Sequence, residues 1–352
     1  MQSSSYGIGL MSGTSLDGLD IAFCEFTFHQ GNYSFKIIKT EEIAYDREWK
    51  SRLESGIHLS AKELMILDKD FAQFCVFQVN RFIEDQEIRP DFIASHGHTV
   101  FHDPNEGYTT QIGSGAIIAA LTGITTISDF RSTDVALGGQ GAPLVPIGDH
   151  FLFSDYDACL NLGGISNISF ISNGRRKAYD ISICNMALNY LSEKLNRPFD
   201  QDGEIAQSGA VISNLLNDIN EFPFFKQKPP KSLGKEWFIN NLQPLLDTDT
   251  SSVPDLMATI VEHIALQVTE SIPKRGEILV TGGGALNRFL IQRIQSKTDA
   301  KIVIPDPQVI KFKEAIIFGF LGFLRLNHQI NTLSDVTGAI KNSCGGAVYY
   351  MK

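Results

Sequence analysis

The residues best placed to do chemistry sit in three glycine-rich turns. Ser12-Gly-Thr-Ser-Leu-Asp-Gly18, Asn161-Leu-Gly-Gly-Ile-Ser-Asn167 and Thr281-Gly-Gly-Gly284 each follow an apolar run. Without Cβ atoms in the way, backbone N–H groups of such turns can converge on an anion. A single turn of this kind is more often just a tight hairpin. Three in this order, with hydroxyls at Ser12, Thr14, Ser15 and Ser166, argue for phosphate binding. The common nucleotide loops do not match. Gly234-Lys235 is followed by Glu236 and so is no P-loop, and Gly7-x-Gly9 has Ser12 where the dinucleotide fingerprint needs its third glycine.

Asp180 follows the strand-like Arg176–Tyr179 stretch and precedes a helix with Ile183, Met186, Ala187, Tyr190 and Leu191 at helical spacing. Its carboxylate either projects into a cleft, where it can act as a general base, or caps the helix. His96 and His98 lie two apart on a strand and are expected on one face, which with His102 suggests either a metal site or hydrogen-bonded core histidines. Glu314 stands just before the apolar Ala315–Leu324 run, a first-turn position that also suits the helix dipole. For Lys231 and Lys235, a phosphate contact competes with plain surface solvation.

These groups need a scaffold, and the chain is long enough to supply one. Its 352 residues suggest roughly two domains at about 150 residues each. With 43% hydrophobic and 20% charged residues it reads as globular. A net charge of -10 and no basic cluster argue against a nucleic-acid partner. The Ala315–Leu324 run is about half the ~20 residues that span a bilayer. The first six residues lack a basic signal-peptide region, and five cysteines without a C-x-x-C pair suit a reducing cytoplasm.

Strands are expected at Tyr6–Leu10, Leu19–Phe26, Asp91–Ser95, Gly123–Ser128 and Glu277–Val280, with a long helix through Leu64, Leu67, Phe71, Phe74, Cys75 and Phe82. The Asp157–Ile171 hairpin repeats the opening hairpin, which places a domain boundary near residue 150. The N-terminal domain is expected over 1–150 plus 330–352 and the C-terminal domain over 151–329, with Phe222–Pro230 as an irregular loop.

Taken together, the motifs resemble those of the sugar kinase, actin and heat-shock chaperone superfamily, and within it the anhydro-N-acetylmuramic acid kinases. The resemblance rests on Gly9–Asp20, Ser95-His-Gly-His-Thr-Val-Phe-His102, Asp129-Phe-Arg131, Gly138-Gly-Gln-Gly-Ala-Pro143, Asn161–Asn167, Pro230-Lys-Ser-Leu-Gly-Lys-Glu236 and Thr281–Gly284. It implies an α/β fold of two ribonuclease-H-like, actin-like ATPase domains around a central cleft. It also implies a cytoplasmic enzyme that uses ATP and magnesium to open 1,6-anhydro-N-acetylmuramic acid and phosphorylate O6. A small-molecule sugar is then the partner, no nucleic acid or membrane is expected, and a homodimer is left open.

Carried over by motif, Gly13, Thr14, Ser15, Leu16, Asp17, Gly18, Leu19 and Asp20 form the first phosphate loop, with Asp17 and Asp20 toward magnesium, directly or through water. Asp17 is otherwise a turn carboxylate bonded to its own backbone. Gly163, Gly164 and Asn167 form the second loop, and Gly282, Gly283 and Gly284 hold adenosine. Asp180 becomes the base that activates water, while His96, Thr99, Arg131, Asp134, Gly139 and Glu314 contact the sugar. Arg131 would orient the lactyl carboxylate; alternatively it forms an exposed ion pair with Asp134. The chain departs from the family pattern at Asp180-Ile-Ser-Ile-Cys-Asn185, where Asp-Thr-Gly-Pro-Gly-Asn is usual, and at His98, where Gln is usual. Ser182, Ile183 and Cys184 are expected to narrow the site beside the base. A related kinase for another anhydro- or amino-sugar, a silent sugar or nucleotide sensor on the same fold, and a metal-dependent hydrolase built on the histidines are the competing functions.

Overall fold

The computed structural model describes residues 3–351. The chain forms two compact units. One is built from the chain up to Leu152 together with the segment from Phe312 onward, and the other is Phe153–Lys311. The C-terminal segment therefore joins the first unit from Phe312, not from residue 330.

In the first unit, β1 (Ser3–Ser12), β2 (Gly18–His29) and β3 (Asn32–Ala44) form an antiparallel meander. Helix α1 (Ala61–Ile83) crosses to β4 (Phe92–Asp103), parallel to β1, on which β5 (Tyr108–Ile112) folds back. Helix α2 (Gly115–Thr122) leads to β6 (Thr125–Ser128), parallel to β4, and short helices α3 (Ser132–Ala136) and α4 (Pro146–Phe151) follow.

The second unit repeats the plan. Its meander is β7 (Ala158–Leu162), β8 (Ile165–Ser172) and β9 (Arg175–Ile183). Helices α5 (Asn185–Glu193), α6 (Ser213–Asn220) and α7 (Val253–Ser271) precede β10 (Glu277–Thr281), parallel to β7. Helix α8 (Arg288–Gln295) and β11 (Lys301–Val303), parallel to β10, complete it. Helix α9 (Pro307–Leu326) follows, and β12 (Ala347–Tyr349) adds antiparallel to β6. The strand orders β3-β2-β1-β4-β6 and β9-β8-β7-β10-β11 are the same arrangement twice, the ribonuclease-H-like order. The segment expected as an irregular loop contains a helical turn at Pro223–Lys226.

The continuous apolar run of β2 follows from having both faces of the sheet covered. Leu19, Ile21 and Phe23 pack with Phe71 and Val79 of α1, whereas Ala22, Cys24 and Phe26 pack with Phe320 and Phe323 of α9. Burying each such phenylalanine contributes roughly 1.5–3 kcal/mol. Ser60 and Glu63 start α1 with a capping box, which supplies about 1 kcal/mol. The glycines of Gly7-Ile-Gly9 serve packing: a Cβ at Gly9 would lie 1.8 Å from the carbonyl oxygen of Ala315 on α9. Among the described residues, no helix is long and apolar enough to cross a membrane.

Candidate active site

The first glycine-rich turn joins β1 to β2. Leu16 N–H closes it on Gly13 O at 3.3 Å, with Leu16 in the left-handed region, and Tyr45 N–H donates to Asp17 O. Thr14, Ser15 and Asp17 are exposed, and a Cβ at Gly13 would meet only Ser15, its Oγ at 3.5 Å. Gly18, Leu19 and Asp20 are already strand. Leu19 points into the core, so only its backbone can meet a ligand. Below the turn, the Tyr45 hydroxyl donates to Ser12 Oγ at 2.7 Å, and Ser12 lies 3.0 Å from His98 Nδ1. The network assigns the His98 proton to Nε2. Burial lowers His98 to about 4, so it is neutral.

A bulge in β4 separates the two histidines. Leu10 of β1 pairs Ser95, but Ser12 pairs His98, so β4 carries one residue more than its partner. Gly97 absorbs it at φ +73°, and a Cβ there would lie 2.4 Å from Ile112 O. The extra residue reverses the alternation. His98 meets Phe71 of α1, whereas His96 lies 4.7 Å from the Phe318 ring on α9. The expectation that both share one face is thereby corrected. His102 is elsewhere again, 3.0 Å from the Thr109 hydroxyl. Among the described residues, no group of three His, Cys, Asp or Glu side chains is arranged to hold a metal.

His96 donates from Nδ1 to Gly97 O at 2.8 Å, which leaves Nε2 to accept from Arg131 Nη2 at 2.8 Å and Nε at 3.2 Å. Burial, and then the Arg131 charge, hold His96 down at about 3. Arg131 also donates from Nη1 to Gly141 O at 2.6 Å. Burial lowers it to about 10, against the pull of Glu314. Glu314 lies well inside α9, which begins at Pro307, and so is not in a first turn as expected. The protein around it raises its carboxyl, against Arg131 and Lys313, while its side chain still reaches solvent. Next to it, Lys313 pairs with Asp149 of α4 in a buried ion pair at 2.7 Å.

Asp134 is fully buried. Its oxygens accept from the Gly141 N–H at 2.8 Å and the Thr337 hydroxyl at 2.7 Å, and they fill the space at Gly139. It ties the Gly138–Pro143 loop to the C-terminal segment and forms no exposed pair with Arg131. Thr99 is half-buried and accepts from Gln111 Nε2. A cavity of about 270 Å³ opens here, lined in part by His96, Gly97, Gln111, Ser114, Asp129 and Ser132. Gln111 and Ser114 carry no motif and were not legible as site residues.

In the second unit the β7–β8 turn and the β10 turn meet. A Cβ at Gly282 would lie 2.5 Å from Asn161 Oδ1, and Gly284 packs on Leu162. Gly163 O and Gly164 O accept the first N–H groups of α5, while Gly283 is exposed. Asn287, just beyond, caps α8. Asn167 lies opposite Asp180 in the β8–β9 ladder.

Asp180 stands within β9, which runs on to Ile183. The N-cap of α5 is Cys184, so the helix-cap alternative for Asp180 is excluded. Asp180 N–H donates to Lys231 O at 3.1 Å, and Leu233 N–H donates to Asp180 Oδ2 at 2.8 Å. Half-burial raises the carboxyl above its ordinary range, opposed by the Leu233 bond. Oδ1 has no protein partner among the described residues. The Pro230–Gly234 stretch thus contributes backbone, and the Lys231 amine turns away to Phe224 O.

The altered residues after Asp180 do not narrow the site. Ile181, Ser182, Ile183 and Cys184 are each 1% exposed or less, in the core of this unit.

The anhydro-N-acetylmuramic acid kinase family model matches residues 5–351. Curated relatives include the anhydro-N-acetylmuramic acid kinases of Sulfurimonas denitrificans, 33% identical over 98% of this chain and 100% of that one, and of Pseudomonas syringae pv. syringae, 36% identical over 97% and 98%. Among solved structures, ligand-bound xylulose kinase from Lactobacillus acidophilus matches over 99% of this chain and 94% of its own, at 10% identity and a TM-score of 0.45. From the full-length family match and these relatives, the chain belongs to the anhydro-N-acetylmuramic acid kinase family.

Proposed function

We propose that this protein is the ATP-dependent kinase that opens 1,6-anhydro-N-acetylmuramic acid with water and phosphorylates its O6, giving N-acetylmuramic acid 6-phosphate and ADP. Beyond the family match, the observation that carries this reading is Asp180. One carboxylate oxygen is fixed by the Leu233 N–H, and the other is uncommitted. That oxygen takes a proton from the water that adds to the anomeric carbon. The C1–O6 bond breaks, and O6 accepts the γ-phosphoryl group of ATP. A base at a raised pKa suits proton abstraction near neutrality.

The open turn at Gly13, Thr14 and Ser15 receives phosphate, and Gly163, Gly164 and Asn167 form the second phosphate turn. Gly282, Gly283 and Gly284 take the adenosine. The carboxylates of Asp17 and Asp20 beside exposed hydroxyls fit magnesium that keeps several of its waters. When bound, magnesium neutralises charge on the transferring phosphates. Arg131, aimed by His96, orients the lactyl carboxylate, with Thr99, Gly139 and Glu314 at the sugar and Asp134 holding the loop that carries Gly139. Five cysteines outside any disulfide, four of them buried, support a reducing cytoplasm as its place. A silent sensor would be suggested by the departure from the family pattern at residues 181–184, and those residues are core.

ADP release assayed with 1,6-anhydro-N-acetylmuramic acid, N-acetylmuramic acid, levoglucosan and N-acetylglucosamine should show turnover with the first. Asp180→Asn should keep ATP affinity within about three-fold and lower turnover by 10²–10⁴-fold. Full activity in that variant refutes the role of Asp180, and no ADP with any sugar refutes the kinase.

A further inference from the structure

The buried polar side chains beneath Asp180 form a connected chain. In the β8–β9 ladder Asn167 pairs Asp180 and Ser166 pairs Ser182, so Ile181 is an extra residue, a bulge directly after the base. Ser166 closes it with its side chain: the hydroxyl donates to Ser182 O at 3.0 Å and accepts from Ser182 N–H at 3.2 Å. The Ser182 hydroxyl lies 2.9 Å from His263 Nε2 on α7, with Ile183 O an alternative acceptor at 3.1 Å. His263 Nδ1 lies 2.7 Å from Asn220 Oδ1 on α6, and Gln267 Nε2 donates to the same oxygen at 3.2 Å.

The polarity of the chain follows from its end. An amide oxygen only accepts, so His263 carries its proton on Nδ1, and Nε2 accepts from Ser182. Burial keeps His263 neutral, at about 3. The arrangement has the order of a serine nucleophile, its base and an orienting group. However, Ser182 is 0% and His263 1% exposed, so no substrate can reach that hydroxyl. What the chain can do is fix β9. Bulges re-aim side chains next to active sites. Without Ile181 as the extra residue, Asp180 and Ser182 would share a face. With it, Ser182 is drawn down to α6 and α7 while Asp180 meets Leu233 on the other side. A fully satisfied polar network in an apolar core imposes a direction that hydrophobic packing alone does not.

We propose that Ser166, Ser182, His263 and Asn220 form a positioning network that sets the β9 bulge and thereby aims the Asp180 carboxylate. None of the four touches substrate; they act through Asp180. The functional consequence rests on the kinase reading, but the structural consequence does not.

The test uses the full chain with Ser182→Ala, the mildest break, and His263→Gln, which keeps an acceptor and a donor. Ser182→Ala should lower kcat for ADP release about ten-fold with KM for ATP within two-fold. Amide exchange at Leu233 and Asp180 should accelerate at least ten-fold, while Leu279 of β10 stays unchanged. His263→Gln should retain more of kcat than His263→Ala, and adding Ser182→Ala to His263→Ala should cause no further loss. Wild-type exchange at Leu233 in Ser182→Ala overturns the proposal, as does equally accelerated exchange throughout the unit. A wild-type protein without turnover sinks the kinase reading, while exchange at Leu233 still decides the network.

Discussion

Arg131 is held in one orientation by a histidine that stays neutral. His96 Nδ1 donates to Gly97 O, so only the Nε2 lone pair remains for the guanidinium. A second proton would have to be buried and set against a cation; burial first, and then the Arg131 charge, hold His96 down at about 3. With Nε and Nη2 on His96 and Nη1 on Gly141 O, the planar fork is locked in one orientation. A planar donor set suits a carboxylate, whereas an ammonium at the same place is only a point charge. Arg131→Lys should therefore raise KM for the sugar about ten-fold, while KM for ATP stays within two-fold. Saturation curves for each substrate by ADP release decide it; a parallel rise in both would assign Arg131 to general stability.

At the scale of elements, the bulges at Gly97 and Ile181 decide which face of its sheet each neighbouring side chain takes. Gly97→Ala puts a Cβ 2.4 Å from Ile112 O at φ +73°. The strain alone costs about 1–3 kcal/mol. The variant should melt several degrees lower by circular dichroism and lose sugar affinity through His96 and Arg131; an unchanged melting temperature would show that β4 tolerates the residue. The strands and turns themselves were legible, because apolar runs broken by Gly, Ser and Asn state where a hairpin turns, and the repeat at Gly13 and Gly163 announced the doubled fold. The bulges were not, since one inserted residue reverses facing without altering composition or period. That is why His96 and His98 were expected together and Asp180 at a strand end. Glu314 was misplaced for another reason. Its helix begins at Pro307 with an amphipathic opening, and only the wholly apolar part from Ala315 stands out in sequence.

Across the whole molecule, buried neutral histidines make stability sensitive to mild acid. The folded-state values, about 3 for His96, about 4 for His98 and about 3 for His263, all lie below the unfolded value near 6.5. As pH falls through 6.5 the unfolded chain takes up protons that the folded chain refuses, so their stabilisation is complete above that point and declines below it. Between pH 6 and 5 each histidine should remove about 1 kcal/mol. Asp180 and Glu314, raised on folding, act in the opposite sense at the low end of the window, one in each unit. Two of the three histidines lie in the first unit, and lowered His102 adds there in the same direction. The two tryptophans fall one to each unit, Trp49 beside Phe71 and Phe74, and Trp237 beside Phe222 and Phe225. Urea unfolding of Trp237→Phe therefore reports the first unit, and that of Trp49→Phe the second. From pH 6 to 5 the first should lose about twice as much stability as the second, and His98→Gln should bring its loss down toward that of the second. Equal losses, or stability that rises on acidification, would mean that these histidines do not remain neutral in the folded protein.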